Sequence, residues 1–459
     1  MAKDIKKTIK QNDIVSRECR HVTHLPYKEG YRKDTHIIKE ILHYEDGTSK
    51  KNLRIVEDYK RPFWITKPYY QKHKQKKESE ELTKLNKYTC TQSDMPTAIA
   101  SRLGSKYVGC KTMRDVSSSP YLYGSDISSN VIIKQEYMTA FPDTVTDYHV
   151  VGLDLEWDVV DDWISVITIM DKDRMLTVIN SRLINERGKA LDEVLHRLYE
   201  KYVPDSKTKN SFKRQHVVLD SELSMIKLVF KELHIWQPDF VTTWSLDADI
   251  PKMTKVIEDN GLHPKDIYCD PNLPNNLKYF RYIEGGANFK SESGKFKPLS
   301  PHEKWSYAIF TASFFFIDAM ATYYYVRVGG KVIPGGFSLD NVIKQELGDK
   351  FGKLKFGDDP KYKGIDWHIY MSQNKPKEYV TYNQYDVQGM MDLLEHTKDL
   401  SIVASLLSGP SEFYKFKSGP KKLLDRMHFF YMDRGRVLGT KAPIKDKDQK
   451  TLSLSNWIK

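Results

Sequence analysis

The chain has 459 residues, 40% of them apolar and 12% aromatic, which is enough to bury a core and too much for a disordered chain. Lys and Arg number 72 against 61 Asp and Glu, a net charge of +11 that favours a polyanionic partner. Four cysteines (Cys19, Cys90, Cys110 and Cys269) lie far apart with no C-x-x-C pair, which excludes a disulfide scaffold and a standard zinc site and fits a reducing compartment.

At about 150 residues per domain, the length allows roughly three domains or two larger ones. The first residues, MAKDIKKTIKQNDIV, lack the apolar core of a signal peptide, so a cytoplasmic protein is expected. Residues 30–65 alternate like strands around the turn Glu45-Asp46-Gly47, which predicts an α+β N-terminal domain over 1–147. The lysine-rich run at 71–81 reads as a solvated face or a contact to nucleic acid. Ser117 to Pro120 opens a loop, and Phe141-Pro142-Asp143 opens a linker into the next unit.

From 148 the pattern sharpens. Tyr148 to Trp157, Trp163 to Met170 and Met175 to Ile179 read as three strands joined by short acidic turns, hence an antiparallel meander. A helix is predicted from Ser221, with Leu223, Ile226, Phe230 and Leu233 on one face. Phe240 to Trp244 reads as a fourth strand. Pro251 is expected to open another helix that Gly261 stops. Phe314 to Ile317 reads as a fifth strand ending at Asp318, and a last helix is predicted over 377–407. The stretch from Tyr307 to Val326 is the most membrane-like, but Asp318 and its Ser and Thr residues make it a buried strand and helix, so no membrane is expected as partner. Three antiparallel strands followed by helix-connected strands predict an α/β fold with a mixed five-stranded sheet of ribonuclease-H-like type over 148–399. Residues 400–459 form a remaining segment. Charge is uneven: 151–260 hold 15 Lys/Arg and 20 Asp/Glu, whereas 411–459 hold 12 and 5. An acidic centre on a basic body suits a metal site that meets a phosphate backbone.

Three short patterns carry chemistry. In VVGLDLEWD, Asp154 and Glu156 are two apart on a strand and so project from one face, while Leu153 and Leu155 take the other. Side-by-side carboxylates repel unless a cation sits between them. Trp244-Ser245-Leu246-Asp247-Ala248-Asp249 lies at a strand-to-helix junction, where an Asp serves equally as a helix cap. Tyr382 and Asp386 stand at i and i+4 in a helical pattern and share one helix face.

Together the three patterns follow the order of a proofreading exonuclease. With Arg61-Pro62-Phe63-Trp64, Ser119 to Ile127, Phe337 to Val342 and Tyr379 to Val387, the chain resembles family B DNA polymerases of large tailed bacteriophages over about residues 25–440. The resemblance implies an N-terminal domain, a 3′-to-5′ exonuclease domain and a return of residues 400–450 to the first. It implies that Asp154, Glu156, Asp249 and Asp386 hold two divalent ions, that Tyr382 orients the attacking water, and that Trp244 and Ser245 lie along the substrate strand. Oxygen ligands without Cys or His would select Mg²⁺ or Mn²⁺. The implied partners are a single-stranded DNA 3′ end and a separate polymerase subunit carrying palm, fingers and thumb. The implied setting is the cytoplasm of an infected host cell.

Two departures stand out. Ser245 and Ala248 replace the Asn and Phe usual in the family's second motif. The sequence also has no D-x-x-S-L-Y-P or Y-G-D-T-D-S, the motifs that bear the polymerase carboxylates, so no polymerase activity is expected from this chain alone. The sequence thus predicts the exonuclease part of a split polymerase. A catalytically weak scaffold that binds DNA and the polymerase subunit, and a free-standing repair nuclease, are the alternatives.

Overall fold

The computed structural model describes residues 14–205, 212–290, 295–328, 333–354, 356 and 362–441, so the last part of the basic C-terminal segment, 442–459, lies outside the described residues. The chain divides into two compact units. One comprises the described residues up to Thr144 and from Ser408 onward, the other Val145–Leu407.

In the first unit, β1 (Ile14–Leu25), β2 (Thr35–Tyr44) and β3 (Ser49–Glu57) form an antiparallel sheet. Gly47 makes the β2–β3 turn at φ +80°, a conformation that glycine adopts without strain, and Asp46 Oδ1 accepts from Thr48 N at 2.8 Å. Helix α1 (Ser129–Ala140) covers this sheet, with Val131, Ile132, Ile133 and Tyr137 packed against Cys19, Val22 and Ile38. A second sheet joins Leu85–Cys90, Arg61–Thr66 and Leu122–Tyr123. After residue 408 the chain adds a helix, Gly419–Met432, and a strand, Arg436–Leu438, that pairs with Ser79–Glu81.

The second unit is a mixed α/β structure. Its strands are β4 (Val150–Trp157), β5 (Ile164–Met170), β6 (Arg174–Asn180), β7 (Lys213–Leu219), β8 (Phe240–Thr243) and β9 (Phe315–Asp318), in the spatial order β7-β6-β5-β4-β8-β9. The pairs β4–β5 and β5–β6 are antiparallel, and β6–β7, β4–β8 and β8–β9 are parallel. Among the described residues the sheet therefore has six strands, not the five expected. The addition is β7, an edge strand whose first half, Lys213-Arg214-Gln215-His216, is polar because one side of an edge meets solvent.

Helices cover both faces. On one, Val151, Leu153, Leu155, Ile167 and Ile169 pack against α3 (Glu222–Trp236) and α4 (Leu246–Asp259). On the other lie α2 (Lys189–Tyr202) and α6 (Pro376–Thr397), α5 (Leu339–Leu347) intervening in the chain. Gly152 permits the close approach of α6 to β4, since a Cβ there would stand 2.9 Å from Met391 Sδ.

Two helix boundaries depart from the sequence reading. Helix α4 begins at Leu246 rather than Pro251, because the distant Asp318 supplies a cap, its Oδ2 accepting from Leu246 N at 2.9 Å. Pro251 is carried inside the helix. The predicted helix over 377–407 is broken at Lys398, which takes a left-handed φ of +58°. Asp399 then holds the following turn in this unit through Arg327, whose Nε lies 2.8 Å from its Oδ2, so the unit extends to Leu407. Among the described residues, no helix is long and apolar enough to cross a membrane.

Candidate metal centre

Strand alternation sets the centre. Leu153 and Leu155 are buried in the core, and Asp154 and Glu156 face the opposite side, beneath α6. From Tyr379 to Met390 every residue of α6 is buried, polar ones included. Tyr379, Asn383 and Asp386 recur at i, i+4 and i+7 and so form one stripe, with Tyr382 beside it. The stripe meets the strand. Asn383 Nδ2 donates to Asp154 Oδ2 at 2.7 Å, and Tyr379 OH donates to Glu156 Oε2 at 2.9 Å.

One carboxylate oxygen from each of Asp154, Glu156 and Asp386 lies within 4.8 Å of the others, an arrangement that could hold a metal ion. Asp249 stands outside that trio but interacts electrostatically with Asp154 and Glu156. Asp247 is turned elsewhere, accepting a short hydrogen bond from Tyr282 OH. The two neighbouring aspartates are thereby separated in role. Asp249 is 5% exposed in the first turns of α4.

Charge in this space is incompletely compensated. Burial raises the Asp154 carboxyl well above its ordinary value, and Glu156, Asp249 and Asp386 push it further. Burial likewise raises Asp249, aided by Glu156 and Asp318. Asp386 is raised by burial and Glu156 against the opposing pull of Lys353. Asp318 is raised to about 7 by burial, although the backbone N–H groups of Ala321 and Leu246 favour its ionised form.

Sequence reasoning missed Lys353. Its Nζ lies 3.0 Å from Asp386 Oδ2 and donates a short hydrogen bond to Tyr382 OH, and its backbone N–H is held by Asp340 Oδ1 at 2.6 Å. Burial works against the ammonium charge, but Asp386, Glu156 and Asp154 hold its pKa above the ordinary lysine value. His368 was also missed, and it stands beside the carboxylates but outside the trio that could hold a metal ion. Its Nδ1 lies 2.9 Å from Tyr379 OH and 3.5 Å from Glu156 Oε2. Nothing local in the sequence marks Lys353 or His368. Tyr379 and Asn383 were legible in principle from the periodicity that marked Tyr382 and Asp386.

Trp244 and Ser245 occupy the β8–α4 junction. Trp244 is half-buried and anchored, its Nε1–H donating to Phe337 O at 3.0 Å. Ser245 sits at the N-cap of α4 with no hydrogen bond from its side chain to the helix. Both expected substrate contacts are thus placed at the start of the helix that carries Asp249. Trp157, next to Glu156 in sequence, packs against the core. Compared with models of known protein families the chain matches none, and no curated protein matches it.

Proposed function

We propose that this chain is a metal-dependent 3′-to-5′ exonuclease acting on single-stranded DNA 3′ ends. In this reading it is the N-terminal and exonuclease part of a split family B polymerase, with a ribonuclease-H-like sheet at its centre. The convergence of Asp154, Glu156 and Asp386, from a strand and a helix 230 residues apart in sequence, is the observation that carries it. Buried acids with raised pKa values, clustered beside one cation, fit a site built for further positive charge.

Two divalent ions, Mg²⁺ or Mn²⁺, would supply a hydroxide, stabilise the phosphorus centre and neutralise the leaving oxygen. Asp154, Glu156, Asp249 and Asp386 would hold them. Asn383 and Tyr379 each occupy one oxygen of a ligand carboxylate, which fixes its orientation and leaves other lone pairs for coordination. Tyr382 accepts from Lys353 and shares its own proton with the Asp386 carboxylate, which ties the hydroxyl to the ligand set. Burial and Asp386 raise the Tyr382 pKa, which keeps that proton in place. Lys353 brings a cation to the substrate phosphate as well as to Asp386.

A 3′-labelled oligonucleotide tests this directly. Mononucleotide release with Mg²⁺ or Mn²⁺ and none with chelator is expected. The scaffold reading is favoured by one observation, that Lys353 already offsets part of the acidic charge. Binding of the oligonucleotide without metal-dependent release would select it.

Ala248 permits a second test. It is partly exposed in the first turn of α4, next to Asp249. Ala248→Phe offers a terminal base a stacking surface worth about 1–3 kcal/mol, so single strands should bind roughly tenfold more tightly. The rate at saturating substrate should change less, because the position supplies no metal ligand. Abolished cleavage or unchanged binding would show that the substrate end lies elsewhere.

A further inference from the structure

A second group of metal-binding side chains lies in the first unit, far in sequence from the carboxylates. His24 on β1 and His36 on β2 are directly paired across the antiparallel ladder, so their side chains leave the same face. Their rings stack with centroids 4.7 Å apart. Asp34, two residues before His36, falls on that same face. One donor atom from each of the three lies within 4.8 Å of the others. His24 Nε2 is 3.1 Å from Asp34 Oδ2, and His36 Nδ1 is 3.9 Å from Asp34 Oδ1.

Two buried polar atoms in this group have no hydrogen-bond partner. They are His36 Nδ1 and Asp34 Oδ1, on residues 0% and 1% exposed. They face each other at a distance too long for a hydrogen bond in either tautomer of His36. The remaining atoms are well held. His36 Nε2 lies 2.6 Å from Ser129 Oγ, and Asp34 Oδ2 accepts from Ser93 N at 2.8 Å. With Nε2–H given to Ser129, Nδ1 turns its lone pair toward the carboxylate. Leaving such atoms unsatisfied in a buried site is destabilising, and a bound cation would relieve both.

We propose that His24, Asp34 and His36 form a Zn²⁺ site that clips the end of the β1–β2 ladder. Two imidazoles and one carboxylate suit Zn²⁺, whereas Mg²⁺ and Ca²⁺ prefer oxygen ligands throughout. Bonds of about 2.0–2.1 Å place tetrahedral ligands roughly 3.3 Å apart, so small side-chain shifts complete the geometry. Ser129 and Ser93 act as the outer supports that ligating groups require. The fourth position falls to water, which can reach the group past His24, whose side chain is 18% exposed. The distribution of the cysteines excluded a thiolate site and does not bear on this one.

The test uses the full chain carrying Asp154→Ala, so that the carboxylate centre contributes little to metal uptake. After chelator treatment, this chain should take up one equivalent of Zn²⁺, and Zn²⁺ should raise its melting temperature. Co²⁺ in place of Zn²⁺ should give the visible absorption of a nitrogen-ligated tetrahedral ion. Adding His24→Gln should weaken Zn²⁺ binding ~100-fold or more, because loss of an outer support alone weakens a site by about 10–100-fold. The metal-free melting temperature should stay near that of the parent, since His24 is at the rim. Ser129→Ala, which keeps all three donors, should weaken binding by about 10–100-fold and serves if the His24 variant fails to fold. Absence of uptake in the Asp154→Ala chain overturns the assignment, as does uptake unaffected by these substitutions.

Discussion

Asp154→Ala is expected to lower 3′-end cleavage by several powers of ten while leaving the chain folded. The substitution removes one of three carboxylates whose oxygens converge within 4.8 Å, and the proposed two-ion hydrolysis would lose a ligand with it. The effect on stability should run the other way. In the metal-free chain Asp154 is a buried acid surrounded by Glu156, Asp249 and Asp386, so removing it relieves repulsion. Asn383 loses its acceptor, which offsets part of the gain. The melting temperature without metal should therefore remain similar or rise. Cleavage and thermal unfolding measured on one preparation distinguish a lost ligand from a lost fold. Undiminished cleavage by the pure variant would remove Asp154 from the mechanism.

The second large effect couples pH, metal and stability. Asp154, Asp249 and Asp386 keep their protons in the folded chain to pH values above the ordinary 3.8, and Asp318 does so to about 7. Between the ordinary and the raised values, the folded state binds more protons than the unfolded state. The stabilising contribution of these groups is thus full below the ordinary carboxylate range and is lost as pH rises through the raised values. The metal-free second unit should become less stable from about pH 4 through about pH 7 on account of these groups. Divalent ions reverse the trend, because they bind the deprotonated carboxylates and compete with protons. At a hundredfold excess over Kd, Mg²⁺ or Mn²⁺ would add about 2.7 kcal/mol, or roughly 5–10 °C in melting temperature for a unit of this size. The rise should be large at pH 8, small at pH 5 and lost in Asp154→Ala. Scanning calorimetry across pH, with Mg²⁺ and with chelator, measures it. A melting temperature indifferent to both ions at every pH would mean that Lys353 alone balances the site, as the scaffold reading requires.

Lys353 also shows why part of the centre was invisible in the sequence. Asp154 and Glu156 were legible because strand alternation is a local rule, and Tyr382 and Asp386 because a helix places i and i+4 on one face. Lys353 reaches Asp386 from a loop 33 residues away, and His368 reaches Glu156 from a helix more than 200 residues away. No periodicity connects such positions. Only the family resemblance favoured Asp249 over Asp247 in the sequence, since both lie at one junction. Tyr282, from a hairpin outside the motif, engages Asp247 and leaves Asp249 toward the carboxylates.

The alternation of β4, the helical face shared by Tyr382 and Asp386 and the turn at Gly47 were legible because each is governed by the geometry of a few consecutive residues. Several boundaries and all of the long-range meetings depended on the fold. Helix α4 starts at Leu246 because Asp318, brought alongside by the parallel pairing of β8 and β9, satisfies its first free N–H. Strand β7 exists because β6 offers it an unpaired edge, not because its polar half favours a strand. The pairing of His24 with His36 was equally hidden, for it depends on the register of the β1–β2 ladder. Backbone propensity acts over one or two turns, whereas caps, edges and converging charges are supplied by residues that only folding makes neighbours.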